Sequence, residues 1–375
     1  MMEPRAPSET IVDETSEAGW RIVVAGGGTG GHLFPGIAIA EAFQRRIPKT
    51  VCRFVSVGTR IEREALAHAG FPLETIRSRG LKGKGFWGQF KGLMEIPFGL
   101  GQSIRILKSF MPDVVIGVGG YAAGPVCLAA WMLRIPLVLQ EQNSQLGLTN
   151  QMLLPLADRL YVSFPSSLQD HPRVRLTGNP VRSGFLQTKR PDPRHDTPFT
   201  VLVCGGSQGA RAINTAVMDA MHIIGDRIRL IHQTGILDEE RVKAHYSDRC
   251  LPVEVFAFIR DMAAAYAESD LVVCRAGAST LAEITVSGKP AILIPFPHAA
   301  GDHQRLNALA LVEAGAAECI LESELTGEVL AERILQGMSR PDVLAAMAEA
   351  SRKLGRPDAA DAIVQDIVEL RRSFR

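Results

Sequence analysis

No stretch of this sequence is both long and apolar enough to cross a bilayer. The longest apolar run, Val126–Leu139, is interrupted by Arg134 and Pro136, whereas a spanning helix needs about 20 apolar residues. Residues 1–19 carry five acids, one base and no apolar segment, so they read as a floppy acidic arm and not as a signal peptide. Neither sign of charge is in surplus, with 41 Lys+Arg against 40 Asp+Glu, which argues against a nucleic-acid binder. Cysteine is sparse and no CxxC pair occurs. Cys52, Cys127, Cys204, Cys250, Cys274 and Cys319 sit mostly in or beside apolar runs, as small buried hydrophobes of a reducing compartment do; a disulfide frame or zinc site is not indicated.

What the sequence does have is apolar substance, 46% of 375 residues, enough for two domains of about 150–180 residues. Short apolar runs alternate with helical-period segments. Arg21–Ala25, Arg53–Val57, Asp113–Val118, Leu137–Leu139, Thr200–Cys204, Arg229–His232, Leu271–Cys274 and Ala291–Ile294 read as buried strands. Buried strands separated by helices predict parallel α/β sheets. The polar stretch KRPDPRHDTPF, residues 189–199, is the best linker. It divides a first domain, 20–188, from a second, 200–355, with 356–375 as a terminal helix. Each half opens alike, RIVVA into GGGTGGH and VLVC into GGSQGA. Ligand sites of open α/β sheets lie where such strand ends fall, so the cleft between the halves is the place to look.

Three glycine turns follow strands: residues 26–31, Gly119–Gly124 and residues 205–209. Glycine lets backbone approach an anion, and free N–H groups at a helix start bind it. Residues 26–31 match G-x-G-x-x-G, but the acid expected at the end of the second strand is missing, where Val57-Gly58-Thr59 stands instead. No turn ends in the Lys-Ser/Thr of a Walker A loop. Anion sites on opposite domains remain, as a diphosphate donor and a diphosphate acceptor require.

Glu283 follows CRAGAST. Thr280 to Glu283 fits a capping box; the functional reading is a carboxylate accepting from a ribose diol. His32 stands in the first turn of a helix, a place that keeps imidazole neutral and able to take a proton from an attacking hydroxyl. Glu141 and Asn143 follow the strand LVLQ, and their polarity suits either a plain loop or the cleft. His298, Asp302 and His303 are too irregularly spaced for a metal site; Asp302, His303, Gln304 and Asn307 suit sugar hydroxyls better. From Arg77 to Lys108 lie seven bases and one acid, Glu95, interleaved with Phe86, Trp87 and Phe90. Cations with aromatics describe a surface that lies on anionic lipid, with a solvated basic face as the plain alternative.

GGGTGGHLFPGIAIAE, VGGYAAGP, LQEQNS, TGNPVR, GGSQGARAIN, VCRAGASTLAEI and DHQRLNA stand in order over roughly residues 20–355. As a set they resemble the bacterial N-acetylglucosaminyltransferases that convert lipid I to lipid II in peptidoglycan synthesis. The resemblance implies a GT-B fold, two Rossmann-like parallel-sheet domains facing across a cleft, with the terminal helix crossing back to the first. It implies UDP-N-acetylglucosamine as donor and undecaprenyl-diphospho-N-acetylmuramoyl-pentapeptide as acceptor, whose C4 hydroxyl attacks with inversion. No cofactor or metal is expected. By position, Thr29, Gly30, Gly31, Asn143 and Gln304 match donor-sugar contacts, Arg182 and Ser207 the donor diphosphate, Ile259 a backbone contact to uracil, and Glu283 the ribose. Gly27, Gly28, Gly119, Gly120 and Tyr121 match the acceptor-diphosphate site. His32 and Glu141 are the candidate bases, and the sequence leaves the choice open. Lys82, Lys84, Phe86 and Trp87 match the family's membrane patch, which implies a peripheral protein on the cytoplasmic face of the inner membrane. Other cell-wall and division proteins are candidate partners, nucleic acid is not.

His303 departs from the family's frequent glutamine, and the acidic arm has no counterpart. Three rivals stand beside this reading. A UDP-N-acetylglucosamine 2-epimerase lacks the lipid acceptor that the basic-aromatic segment and the Gly119–Gly124 turn suit. A nicotinamide oxidoreductase lacks its ribose acid here, and a silent sugar-nucleotide scaffold would not need His32, Glu141 and Glu283.

Overall fold

Uninterrupted apolar runs can be buried on both faces only when helices cover a parallel sheet on each side, and the chain builds two such sheets. The computed structural model describes residues 19–28, 30–78, 86–165, 168, 170–187, 198–206, 209–247, 251–299 and 302–373, with side chains 86–94, 96 and 373 outside the description. Most of the acidic arm, most of the linker, Thr29, Ser207, Lys82, Lys84 and the side chains of Phe86 and Trp87 therefore lie outside the described residues.

The first lobe runs β1 (Arg21–Ala25), α1 (Gly30–Arg46), β2 (Val51–Ser56), α2 (Arg60–Ala69), β3 (Leu73–Thr75), α3 (Phe86–Phe110), β4 (Val114–Gly117), α4 (Ala123–Met132), β5 (Leu137–Glu141), α5 (Leu148–Leu153), β6 (Arg159–Val162), β7 (Val174–Leu176) and α6 (Ser183–Gln187). The second runs β8 (Thr200–Cys204), α7 (Arg211–Ile224), β9 (Arg229–Gln233), α8 (Glu239–Tyr246), β10 (Val253–Phe256), α9 (Met262–Glu268), β11 (Leu271–Cys274), α10 (Ala278–Ser287), β12 (Ala291–Leu293), α11 (His303–Glu313), β13 (Ala317–Cys319), α12 (Gly327–Ser339) and α13 (Pro341–Leu354). The last helix, α14 (Ala359–Ser373), belongs spatially to the first lobe.

Seven strands in the order β3-β2-β1-β4-β5-β6-β7 form one sheet and six in the order β10-β9-β8-β11-β12-β13 the other. Every pairing is parallel. Strand order reverses between β1 and β4 and again between β8 and β11. Those switch points open crevices at the strands' carboxyl ends, where the glycine turns stand.

All eight strands expected from apolar runs form, with ends shifted by one or two residues. Leu137–Leu139 extends through Glu141, which places that acid in the strand itself. The strands β3, β6, β7, β10 and β13 have no counterpart among those eight apolar runs. Four of these edge their sheets, and a strand with one side in solvent carries polar residues that break the apolar run (LET, VRL, VEVF, AEC).

Ile363, Val364, Ile367 and Val368 of α14 join Trp20, Phe43 and Phe54 in one buried cluster. Burial of such side chains stabilises by about 1.5–3 kcal/mol each, as an upper bound. Polar contacts fix the helix's register: Tyr161 donates to Asp366 at 2.8 Å, and Arg45 pairs with Asp361 at 2.8 Å.

Candidate active site

Between the lobes lies a cleft of about 730 Å³, within the roughly 300–1,000 Å³ of small-molecule sites. Gly30, Gly31, His32, Asn143, Arg182, Ile259, Glu283 and Gln304 line it. Those residues are scattered over 275 positions of chain, Gly30 to Gln304, and the two switch points bring them together. His303 lines the cleft as well.

His32 enters from the first turn of α1. Its Nδ1 lies 3.1 Å from the Val118 carbonyl and 3.1 Å from Gln142 Oε1. The Gln142 amide is oriented by its own Nε2, which donates to the Val118 carbonyl at 2.7 Å and to Gln140 Oε1 at 2.6 Å. Two acceptors facing one ring nitrogen require that nitrogen to carry the hydrogen. In the neutral ring Nε2 then holds the lone pair, and no described residue bonds it. This is the tautomer a general base needs.

Glu141 does not share that role, which corrects its standing as a candidate base. The side chain is buried and does not line the cleft. Oε1 accepts from Asn143 N and Nδ2, both at 3.1 Å. Oε2 accepts from Gly147 N and Asn150 Nδ2, both at 2.9 Å. With every lone-pair direction engaged, Glu141 braces the loop that presents Asn143 to the cleft.

On the opposite wall α7 and α10 open toward the cleft behind Ala210 and Gly277, with no side-chain cap on either. Uncapped helix starts leave N–H groups for an anion. Glu283 sits in the second turn of α10, beyond any N3 position, so the capping box that was the plain alternative for Thr280 to Glu283 does not form. Its carboxylate instead accepts from Arg182 Nη2 at 3.1 Å. Burial pushes the Glu283 carboxyl above its ordinary value, and the Arg182 charge opposes that shift. Arg182 also lies over the Phe34 ring of α1 at 4.2 Å, so one guanidinium touches both lobes. Ile259 N already donates to Gln233 Oε1 at 2.9 Å, and Gln304 Oε1 accepts from Phe296 N at 3.0 Å. Gln233, Phe258, Phe296 and Arg275 line the cleft too. They were not singled out from the sequence, although Arg275 stands inside the noted CRAGAST segment.

The acceptor-side glycines lie behind His32, outside the cleft lining. The two turns interlock: a Cβ on Gly120 would run into the Gly27 carbonyl, and both glycines have positive φ. Tyr121 covers Gly28. One expectation is corrected here, because the Gly28 N–H is not free for an anion. It donates to the buried carboxylate of Glu62 at 2.6 Å.

Two family models match, the glycosyltransferase family 28 N-terminal domain over residues 22–162 and its C-terminal domain over residues 200–363. The chain belongs to glycosyltransferase family 28. A relative from Anaeromyxobacter sp. (strain K) is 48% identical with 93% of each chain covered. It is named UDP-N-acetylglucosamine–N-acetylmuramyl-(pentapeptide) pyrophosphoryl-undecaprenol N-acetylglucosamine transferase. The crystal structure of Acinetobacter baumannii MurG is 32% identical, covers 93% of this chain and 99% of its own, and superposes with a TM-score of 0.72. This family 28 chain thus has the GT-B fold. A UDP-N-acetylglucosamine 2-epimerase superposes at 0.68 with 16% identity, covering 95% of this chain and 97% of its own, which shows a shared fold and nothing about activity.

Proposed function

We propose an inverting single displacement for this enzyme, which moves N-acetylglucosamine from UDP-N-acetylglucosamine to lipid I and so forms lipid II. The observation that carries the route is the tautomer of His32, with its hydrogen committed at Nδ1 and its Nε2 lone pair left at the cleft. The acceptor's C4 hydroxyl gives its proton to Nε2 as its oxygen attacks the anomeric carbon. The bond from that carbon to the UDP oxygen breaks on the opposite face, which turns the α donor into a β product. Negative charge grows on the diphosphate, where the α7 and α10 starts and Arg182 stand to stabilise it. Glu283 receives the ribose hydroxyls and the Ile259 backbone the uracil; Ser207 and Thr29 complete the donor contacts by their place in the GGSQGA and GGTGGH motifs. The route requires no bound metal.

The acceptor is a membrane lipid, so the protein works as a peripheral protein on the cytoplasmic face of the inner membrane. No helix among the described residues is long and apolar enough to cross a membrane, and the basic, aromatic segment holding Lys82, Lys84, Phe86 and Trp87 supplies the contact with anionic lipid.

Radiolabelled transfer from UDP-N-acetylglucosamine to a short-chain lipid I analogue, run with and without EDTA, tests the proposal. The expected product carries a β-linked sugar and forms at the same rate in both arms. N-acetylmannosamine formed from the donor alone would instead favour a 2-epimerase.

A further inference from the structure

Glu62 lies outside the glycine turns and outside the cleft lining. It is wholly buried, and no cation of a described residue pairs with it. Part of its role is ordinary: Oε2 accepts from Thr59 N at 2.6 Å, and Thr59 caps Glu62 N in return, closing a capping box at the start of α2. That leaves the other oxygen. Oε1 accepts from Gly28 N at 2.6 Å and makes a short bond with the Ser56 hydroxyl, and a Cβ on Gly27 would collide with it. The β1 glycine turn is therefore seated on this oxygen. From above the same turn is covered by Tyr121, whose ring lies 3.3 Å from where a Cβ of Gly28 would stand. Burial chiefly, and the Glu62 charge next, hold the Tyr121 phenol above its ordinary value. The turn runs within a few residues into α1 and His32.

We infer that Glu62 is a positioning residue of the acceptor side, its carboxylate seating the glycine turn beneath Tyr121 so that His32 and the acceptor meet in register. With the Gly28 N–H already committed to Glu62, the acceptor's diphosphate is left to the Gly119–Gly120 turn and the start of α4, which has no side-chain cap. A capping box alone needs one oxygen of Glu62; the second is spent on the site. The inference rests on His32 acting as the base.

Glu62→Gln keeps the shape and removes the charge, but one of its two ends must then present N–H to an N–H. The expected result with the lipid I analogue is a kcat lowered about tenfold or more and a raised acceptor KM, with UDP affinity by calorimetry within about twofold of wild type. Thr59→Val weakens the same α2 cap without touching the Gly28 contact. It should lower the melting temperature and leave kcat and acceptor KM at wild-type values. If Glu62→Gln does not fold, Ser56→Ala strips one partner from the same oxygen and should still raise the acceptor KM. Unchanged acceptor kinetics in the folded variant, or a Thr59→Val protein that reproduces its defect, would overturn the inference while leaving the reaction intact. A wild-type chain that fails to transfer at all would remove the reaction itself, and Glu62's role with it.

Discussion

At His32 the chemistry of one ring nitrogen is set by what the other touches. The Val118 carbonyl and the Gln142 amide both accept at Nδ1, so the tautomer of the proposed base is set by a neighbour in LQEQNS that offers no proton chemistry of its own. Glu141, from the same segment, is spent on four donors. Glu141→Gln must place an NH2 against at least one of them, at a cost of about 2 kcal/mol, and should lower the melting temperature by roughly 5 °C. Its residual activity should keep the wild-type pH profile; loss of the acid limb in that profile would return Glu141 to the base role. For Glu283, replacement by alanine should weaken UDP binding about 10–100-fold, the worth of the proposed hydrogen bonds to a ribose diol, with association to lipid unchanged. The Glu283 carboxyl titrates above its ordinary value because it is buried. Lowering the pH through that raised value neutralises it, so wild-type UDP affinity should fall on the acid side and the alanine variant's should not. Calorimetric titration across pH checks both statements.

At the scale of elements, β9 and α7 are joined by a buried histidine. His232 is buried, Nε2 lies 3.0 Å from Asn214 Oδ1, and burial pushes the ring down to about 3. The unfolded chain binds a proton there below about 6.5, the folded chain only near about 3. Stability is therefore fully present above that pH and should fall as pH drops toward about 3, with a limiting slope of about 1.4 kcal/mol per unit. Urea unfolding of the wild type and of His232→Gln should show the steeper acid limb only in the wild type. Asp366 on α14 is a second such joint, taking the Tyr161 hydroxyl at 2.8 Å and Arg159 at 3.3 Å. Asp366→Ala leaves that buried hydroxyl without its acceptor and should cost about 1–3 kcal/mol, read as a lower urea midpoint. Neither joint is legible in sequence, since a histidine in RLIHQ or an aspartate in a late helix reads as ordinary polarity until its partner is known.

For the molecule as a whole, the lobes are held face to face by a few polar contacts. The Ser279 hydroxyl donates to the Gly31 carbonyl at 2.9 Å, Glu41 accepts at 2.8 Å from Ser183 N at the start of α6, whose Phe185 is buried in the second lobe's core, and Arg182 stacks on Phe34 while pairing with Glu283. Two of these, the Ser279 and Arg182 contacts, lie in the cleft wall itself, so substrate binding and the set of the lobes act on the same groups. The proposed membrane contact also belongs to this scale, because a lipid acceptor has to reach the cleft from the bilayer. Lys82→Glu with Lys84→Glu should release the protein from anionic vesicles in a sedimentation assay and leave transfer to a water-soluble acceptor analogue near wild type. Undiminished vesicle binding would remove the patch assignment.

Apolar runs and glycine turns were enough to specify two parallel α/β sheets, their central strands and the positions of the strand-end loops, because burial on both faces leaves a continuous signature in the chain. The motifs further named the residues of the cleft, each a short local pattern. What needed the tertiary structure was partnership. That the Thr280–Glu283 segment is interior helix paired to Arg182, that Glu141 is a brace, that Gln142 sets the His32 tautomer and that Glu62 occupies the Gly28 N–H are facts about side chains meeting across distances of up to a hundred residues and more. Hydrogen bonds of that kind leave no period in a sequence, since any polar residue can make them and only the fold decides which one does.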